Sequence, residues 1–152
     1  MRIKNSFWLV AVGFWLTALS SCKPDLTDDA IPYVNFPDIV ITNLSLPEYA
    51  DLNTKGWVYI SGGVQGIILY KANASSYLAY ERNCSYHPIN NVSAVAFVDT
   101  SNLFMIDHSC SSTFSFDDGA PTGGPAWRPL RRYKTYLDGT QLTITSESAN
   151  GM

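Results

Sequence analysis

Residues 107–142 read DHSCSSTFSFDDGAPTGGPAWRPLRRYKTYLDGTQL, and they carry the most informative structural pattern in the chain. It begins with a loop rich in Ser and Cys and continues through a segment rich in Gly and Pro. It then enters a run of aromatic and β-branched residues at 132–136, and a second run follows at 141–145. The Asp138-Gly139 pair between these runs is typical of a tight turn. We therefore predict that the chain closes with a β-hairpin.

Short strands are predicted along the rest of the chain as well. Alternating or β-branched runs are separated by Gly, Pro and Asn, and the one helix-like piece is 46–53, around Pro47. The other predicted strands are 34–41, 57–61, 66–70, 77–80, 92–98 and 103–106. Many short strands at this spacing predict an all-β sandwich or barrel.

The stretch 107–142 resembles the second half of a Rieske iron–sulfur domain. In that family a C-x-x-H-G-S-x-F loop is followed by a Gly turn, a Gly-Pro-Ala step, a Pro-Leu pair and a final strand with an aromatic residue. The residues that match without a gap are Ser112, Phe114, Gly119, Gly124-Pro125-Ala126, Pro129-Leu130, Tyr133 and Gly139. The resemblance implies a Rieske-like antiparallel β-sandwich or barrel, and all-β architecture.

The first half of the chain carries a weaker part of the same resemblance. Residues 57–70 are similar to the Gly-rich hairpin that precedes the first ligand loop in Rieske-like envelope proteins, and 80–88 correspond to that loop. The similarity spans roughly 39–145. In this register Cys84 takes the first Cys position and Tyr86 the first His position. The second loop places Asp107 at the other Cys position and Cys110 at the other His position.

These four positions do not carry the ligands of a Rieske cluster. Such a cluster is held by two Cys thiolates and two His nitrogens, and only Cys84 remains in place. Tyr86 and Asp107 offer hard oxygen donors, whereas the cluster depends on soft thiolate and imidazole ligands. The resemblance therefore implies a retained fold and a lost cluster, with no cofactor.

The resemblance also implies that the two cysteines in these loops pair. Both ligand loops of the fold converge at one tip, which suits the Cα separation of about 5.5–6 Å in disulfides. The N-terminal sequence predicts that Cys22 is acylated and so cannot form a disulfide. Cys84 and Cys110 are then the two remaining cysteines in an oxidising envelope. A Cys84–Cys110 disulfide would close a loop of roughly 27 residues and stabilise the fold by about 3–4 kcal/mol in the chain-entropy model.

A metal site is the alternative hypothesis for the same loops. The two His of the chain, His87 and His108, each lie close to one of these cysteines. Cys84, His87, His108 and Cys110 together offer two thiolates and two imidazoles, which is a complete set for zinc. The same ligand types hold a 2Fe–2S cluster of the Rieske type. Both alternatives remain open at the level of sequence.

The N-terminal residues predict a bacterial lipoprotein. Arg2 and Lys4 precede an apolar run at 7–19, which is shorter than the roughly 20 residues of a spanning helix. The run ends in Leu19-Ser20-Ser21-Cys22, which resembles a lipobox and predicts acylation of Cys22. We predict a signal peptide (1–21), a lipidated tether (22–33), the Rieske-like domain (34–146) and a polar tail (147–152). The acidic tether resembles the signals that send some Gram-negative outer-membrane lipoproteins to the cell surface.

Composition argues against several functions. The chain has 10 Lys and Arg against 13 Asp and Glu, with a net charge of −3, which does not favour nucleic-acid binding. Arg128, Arg131 and Arg132 are expected to form a solvated entry to a strand. Motifs for nucleophilic catalysis or phosphate binding are absent from the sequence, so we predict no enzyme activity.

The predicted function follows from these parts. The chain is expected to be a membrane-anchored envelope lipoprotein whose clusterless, disulfide-stapled domain serves as a structural or interaction module. Its expected partners are the membrane, through the lipid anchor, and another envelope protein. The alternative is a 2Fe–2S electron-transfer protein, or a zinc-stapled module, that uses displaced Cys and His ligands.

Overall fold

Two antiparallel β-sheets form the fold in a computed structural model that describes residues 31–86, 88 and 93–149. The six-stranded sheet has the order β1-β10-β9-β4-β3-β2, and the four-stranded sheet has the order β5-β6-β7-β8. The strands are β1 (Ile39–Ile41), β2 (Trp57–Ile60), β3 (Ile67–Asn73), β4 (Ser76–Glu81), β5 (Ala96–Val98), β6 (Met105–Asp107), β7 (Ser112–Phe114), β8 (Pro121–Gly123), β9 (Arg132–Asp138) and β10 (Gln141–Ser148). A 3₁₀ turn (Pro47–Tyr49) and helix α1 (Asp51–Thr54) connect β1 to β2.

The first part of β3, in the large sheet, is buried on both faces. Ile67 and Leu69 of β3 belong to one apolar cluster, which also contains residues from β1, α1 and β10. Ile68 points to the opposite face and joins a second cluster, which lies against the small sheet. All three side chains are fully buried. Because both faces are covered, the strand has a continuous apolar run in place of alternation.

A buried carboxylate holds the loop between β2 and β3 to the end of β4. Glu81 accepts hydrogen bonds from the backbone N–H groups of Val64 (2.7 Å), Gln65 (2.9 Å) and Asn83 (2.9 Å), and from the hydroxyl of Tyr133 (2.7 Å). Its side chain is fully buried. A carboxylate with this many donors is satisfied despite its burial. The network fixes the backbone from which the first site loop departs.

The predicted all-β class is confirmed, as are the closing hairpin and the short helical piece around Pro47. The strand predicted at 34–41 is shorter, because only Ile39–Ile41 pairs with β10. Of the strand predicted at 92–98, Ala96–Val98 forms β5, and residue 92 lies outside the described part of the chain. Strands β7 and β8 were not predicted, since their sequences, Ser-Thr-Phe and Pro-Thr-Gly, carry little β pattern.

Residues on either side of the predicted 34–146 domain contact it. Ile31 is buried, and its carbonyl oxygen accepts a 2.6 Å hydrogen bond from Arg131. Arg131 is only 8% exposed, so the prediction of a solvated arginine was wrong at this position. At the other end, β10 continues to Ser148 after a bulge that follows Ile144. The tether and the tail predicted from sequence therefore each lend residues to the packed domain.

The predicted signal peptide (1–21) and the lipidation residue Cys22 lie outside the described residues. Within the described part, no helix has the length and apolar character required to cross a bilayer.

Candidate functional site

The first site loop leaves the large sheet at the end of β4. Asn83 forms an isolated antiparallel bridge with Val95, and the backbone N–H of Cys84 donates to the carbonyl oxygen of Ala94 at 2.8 Å. These bonds carry the chain across to the small sheet. The Cys84 side chain is fully buried and packs in the second apolar cluster, beside Phe114 and Leu130. The loop therefore places the Cys84 thiol in the interior of the domain, at the tip where the two site loops meet.

The second site loop is the tight connection between β6 and β7. Asp107 ends β6, and its carbonyl oxygen accepts a 2.8 Å hydrogen bond from the N–H of Ser111. Ser111 has a φ of 61°, a left-handed conformation that reverses the chain within a few residues. The turn leaves Asp107 buried, at 1% exposure, and Cys110 half-buried.

Three side chains from these loops converge. The Sγ atoms of Cys84 and Cys110 are 3.9 Å apart, and the Sγ of Cys110 donates to Oδ2 of Asp107 at 3.4 Å. The potential ligand atoms of Cys84, Asp107 and Cys110 all lie within 4.8 Å of one another. Among the described residues this is the one cluster of Cys, His and acidic side chains with metal-ligand spacing.

Neighbouring serines orient the Asp107 carboxylate. Oδ1 accepts from the backbone N–H and from the hydroxyl of Ser109, both at 2.7 Å. Oδ2 is thereby directed towards Cys110. On the other side of that thiol, the Ser112 hydroxyl lies 3.1 Å from Sγ and accepts a 3.0 Å bond from the N–H of Ala126. The carboxylate and the Cys110 thiol thus occupy fixed positions.

The two thiols differ in their surroundings. Burial raises the pKa of the Cys84 thiol, and a hydrogen bond with Asp107 raises it further, while a hydrogen bond from the Tyr86 backbone opposes both. Cys110 is partly open to solvent. Because the thiolate is the nucleophile, these surroundings make Cys84 unreactive as long as the fold is intact.

The segment between β7 and β9 covers the tip. At Gly124, which has a φ of 78°, an added Cβ would lie 2.5 Å from the Cα of Ser112. The backbone of this Gly-Pro-Ala step therefore lies directly on the second site loop, and only glycine allows that approach. Ala126 continues the contact through its bond to Ser112. The arrangement explains the glycine without reference to any cofactor.

The described donors at the tip do not supply the ligand set of a Rieske cluster. Two imidazoles are required beside two thiolates, and the clustered donors among the described residues are two thiols and a carboxylate. In the family's first His position, Tyr86 is half-buried and packs on the second apolar cluster. Cys110, in the second His position, is bonded to Asp107 and Ser112. No electron-transfer step can be assigned to this donor set.

The alternative metal set of Cys84, His87, His108 and Cys110 is not assembled among the described residues. His108 is exposed, and its ring lies 5.8 Å from the ring of Phe97, outside the group of clustered donors. His87 lies outside the described residues. The family pattern predicts Asp107 only as a replaced ligand. The structure shows Asp107 as the third member of the cluster. The indication available in the sequence was that Asp107 lies three residues before Cys110.

The predicted convergence of Cys84 and Cys110 is found, but the disulfide is not formed. Both cysteines are free thiols with their sulfur atoms 3.9 Å apart. A disulfide requires about 2.05 Å between them. Its formation in an oxidising compartment stays a prediction.

Comparison with known proteins finds solved structures with a similar fold. No protein-family model and no curated protein matches the chain. Among solved structures, the plasma-membrane Rieske protein PetC3 from the cyanobacterium Synechocystis PCC 6803 aligns with a TM-score of 0.51 at 20% identity, over 63% of this chain and 92% of that one. The ferredoxin of carbazole 1,9a-dioxygenase from Nocardioides aromaticivorans IC177 aligns with a TM-score of 0.47 at 18% identity, over 74% of this chain and 100% of that one. The sheet order and the first of these alignments show that the chain has the Rieske-like fold.

Proposed function

We propose that this chain is a clusterless Rieske-like module, tethered to a bacterial envelope membrane, that acts as a structural or interaction protein and not as an enzyme. One observation carries the proposal: Cys84, Asp107 and Cys110 occupy the tip where the family's ligands would be, and they bond to one another. The Rieske-like fold on its own suits either an electron-transfer module or a structural module. The donor set favours the structural one, because function depends on the site and not on the fold.

The pair of thiols has a structural role in this proposal. In an oxidising envelope, Cys84 and Cys110 give up two protons and two electrons to the oxidising system and form the disulfide. The bond joins the loop after β4 to the β6–β7 loop, and it performs the cross-linking that a cluster performs in the family. Only a small movement of the sulfur atoms is needed from their separation of 3.9 Å.

The location rests on the N-terminal sequence. The apolar run at 7–19 and the lipobox-like Leu19-Ser20-Ser21-Cys22 support cleavage before Cys22 and its acylation. Several acyl chains would give stable anchoring, since a single chain binds membranes only marginally. The module would then be held at the outer membrane by a short acidic tether, where another envelope protein is the expected partner.

Metal analysis and fatty-acid labelling test the two halves of this proposal. The full chain is expressed in a Gram-negative bacterium, extracted from membranes with detergent under anaerobic conditions, and assayed for iron and acid-labile sulfide. We expect neither in stoichiometric amount, and two irons per chain with visible absorbance would contradict the clusterless module. In parallel, Cys22→Ala is expected to abolish incorporation of labelled fatty acid, whereas Cys110→Ala, the matched control, retains it. Labelling of Cys22→Ala would contradict the proposed anchor.

A further inference from the structure

We propose that Cys84, Asp107 and Cys110 form a zinc site in the dithiol state of the protein. The site differs in composition from the Cys and His set considered above, because its third ligand is a carboxylate and His108 takes no part. The two ligand loops of the fold each contribute to it: Cys84 comes from the loop after β4, and the other two residues come from the β6–β7 loop.

The spacing of the donors matches tetrahedral zinc. With Zn–S bonds of about 2.3 Å and tetrahedral angles, two sulfur ligands lie about 3.8 Å apart, and a sulfur and a carboxylate oxygen lie about 3.5 Å apart. The Sγ atoms of Cys84 and Cys110 are 3.9 Å apart, and Oδ2 of Asp107 is 3.4 Å from the Cys110 sulfur. Two of the three separations therefore match those of ligands that share one zinc ion, and the third, between the Cys84 sulfur and the Asp107 carboxylate, is within 4.8 Å.

The carboxylate is prepared for this role by its neighbours. Ser109 occupies Oδ1 with two hydrogen bonds, which leaves Oδ2 directed at the thiols. Second-shell bonds of this kind fix the orientation of metal ligands. Cys84 and Asp107 are buried, at 0% and 1% exposure, so they pay little conformational entropy on binding.

The donor chemistry favours zinc over the hard divalent ions. Two thiolates exclude magnesium and calcium, which prefer oxygen ligands, and favour a soft or borderline metal. Zinc accepts mixed sulfur and oxygen ligands in tetrahedral geometry, with three protein ligands and water in the fourth position. Cys110 is only half-buried, so the side of the site that faces solvent supplies that water. Binding releases the two thiol protons to solvent.

The zinc site lies at the same tip as the proposed function, but each of the two proposals can be rejected while the other stands. Iron content decides whether the module is clusterless, whereas zinc affinity of the reduced chain decides the inference. Zinc and the disulfide exclude each other, because each uses both sulfur atoms. The ion would cross-link the two loops before oxidation or wherever the thiols stay reduced.

Titration with Co²⁺ and Zn²⁺ tests the site. The full chain in detergent is reduced with a phosphine, freed of metal, and titrated with Co²⁺, whose thiolate charge-transfer bands report sulfur ligands directly. Zn²⁺ affinity is then measured by competition with a chromophoric chelator. Four variants are compared: Cys84→Ser, Cys110→Ser, Asp107→Asn and, as the matched control, His108→Ala. Circular dichroism identifies any variant that has not folded.

We expect one Co²⁺ per chain with bands of two thiolates, displaced by Zn²⁺. Each Cys variant is expected to weaken Zn²⁺ binding at least 100-fold and Asp107→Asn at least tenfold, while His108→Ala leaves it within twofold. The oxidised chain is expected to bind no zinc. The absence of charge-transfer bands in the reduced chain would overturn the inference without reference to any variant. Unchanged affinity in a folded Asp107→Asn protein, or loss of binding in His108→Ala, would overturn the proposed ligand set.

Discussion

The Sγ atom of Cys110 lies 3.4 Å from Oδ2 of Asp107, which places the residue at the second His position of the Rieske pattern in a hydrogen bond with the residue at the second Cys position. In a cluster-binding loop both side chains would be directed at iron. Here they satisfy each other, and the buried carboxylate has a donor that keeps its desolvation cost low. The second site loop therefore holds Asp107 and Cys110 in contact with each other.

The two thiols are expected to differ in reactivity. Alkylation of the native, reduced chain with iodoacetamide should modify Cys110 and leave Cys84 unmodified, because Cys84 is fully buried and its burial raises its pKa. Peptide mass spectrometry resolves the two sites. In denaturant both should react at similar rates, which serves as the control. Equal reactivity of the two residues in the native protein would contradict the described tip.

Gly124 is expected to be irreplaceable for the covering loop. In Gly124→Ala the new Cβ would lie 2.5 Å from the Cα of Ser112, and the backbone there has a φ of 78°. We expect a loss of roughly 3 kcal/mol in the free energy of unfolding, since steric displacement adds to backbone strain. Gly139→Ala is the matched control, because its φ is 58° and nothing lies within 4 Å of the added Cβ. It should cost only about 1–2 kcal/mol. Equal losses in the two variants, measured by urea unfolding, would contradict the close approach.

Glu81 is expected to contribute strongly to stability. Glu81→Ala leaves the Tyr133 hydroxyl and three backbone N–H groups without their acceptor. Each unsatisfied buried donor costs about 1–3 kcal/mol, so we expect a loss of at least about 3 kcal/mol in urea unfolding. Glu147→Ala, which removes an exposed partner of Lys134, should leave the urea midpoint almost unchanged, because solvent screens an exposed ion pair. A small effect of Glu81→Ala would show that the network is not formed.

Stability is expected to fall at alkaline pH. Burial raises the pKa of Tyr80 from 10.0 to about 12. Between these values the unfolded chain has lost the phenolic proton and the folded chain retains it, so the free energy of unfolding decreases as pH rises through this range. Burial raises the pKa of Tyr133 as well, in the same direction. Tyr80→Phe should flatten the decline in urea midpoint between about pH 10 and 12, and Tyr136→Phe, on an exposed ring, is the control for loss of a hydroxyl. An unaltered slope in Tyr80→Phe would contradict the burial of its hydroxyl.

Much of the fold could be predicted from the sequence, because its strongest elements carry local patterns. The run at 66–70 is apolar on both faces and forms the buried strand β3, and the Asp138-Gly139 turn forms the closing hairpin. Strands β7 and β8 could not be predicted in the same way. Their pairing depends on where the loops at the tip place them, and their sequences carry no clear alternation of apolar and polar residues. Arg131 was mispredicted because its partner, the carbonyl oxygen of Ile31, is 100 residues away in sequence.

The sequence predicts which residues lie at the site, but it does not predict the hydrogen bonds between them. The family register identified Cys84, Tyr86, Asp107 and Cys110 as the four positions, and the structure brings three of them together. The resemblance could not indicate that Asp107 and Cys110 bond to each other, since that depends on the turn at Ser111. Nor could it place His108, whose side chain lies beside Phe97 on the exposed side of β6.

Native mass spectrometry of the full chain, extracted and kept under anaerobic conditions, shows whether the tip holds a cluster. The mass resolves every state of the tip: free thiols, a disulfide that is lighter by two hydrogens, one bound zinc, or a cluster of two irons and two sulfides. The account predicts a chain without iron, with the tip as thiols, disulfide or a single zinc. A mass that includes two irons and two sulfides, lost from Cys84→Ser, would contradict it.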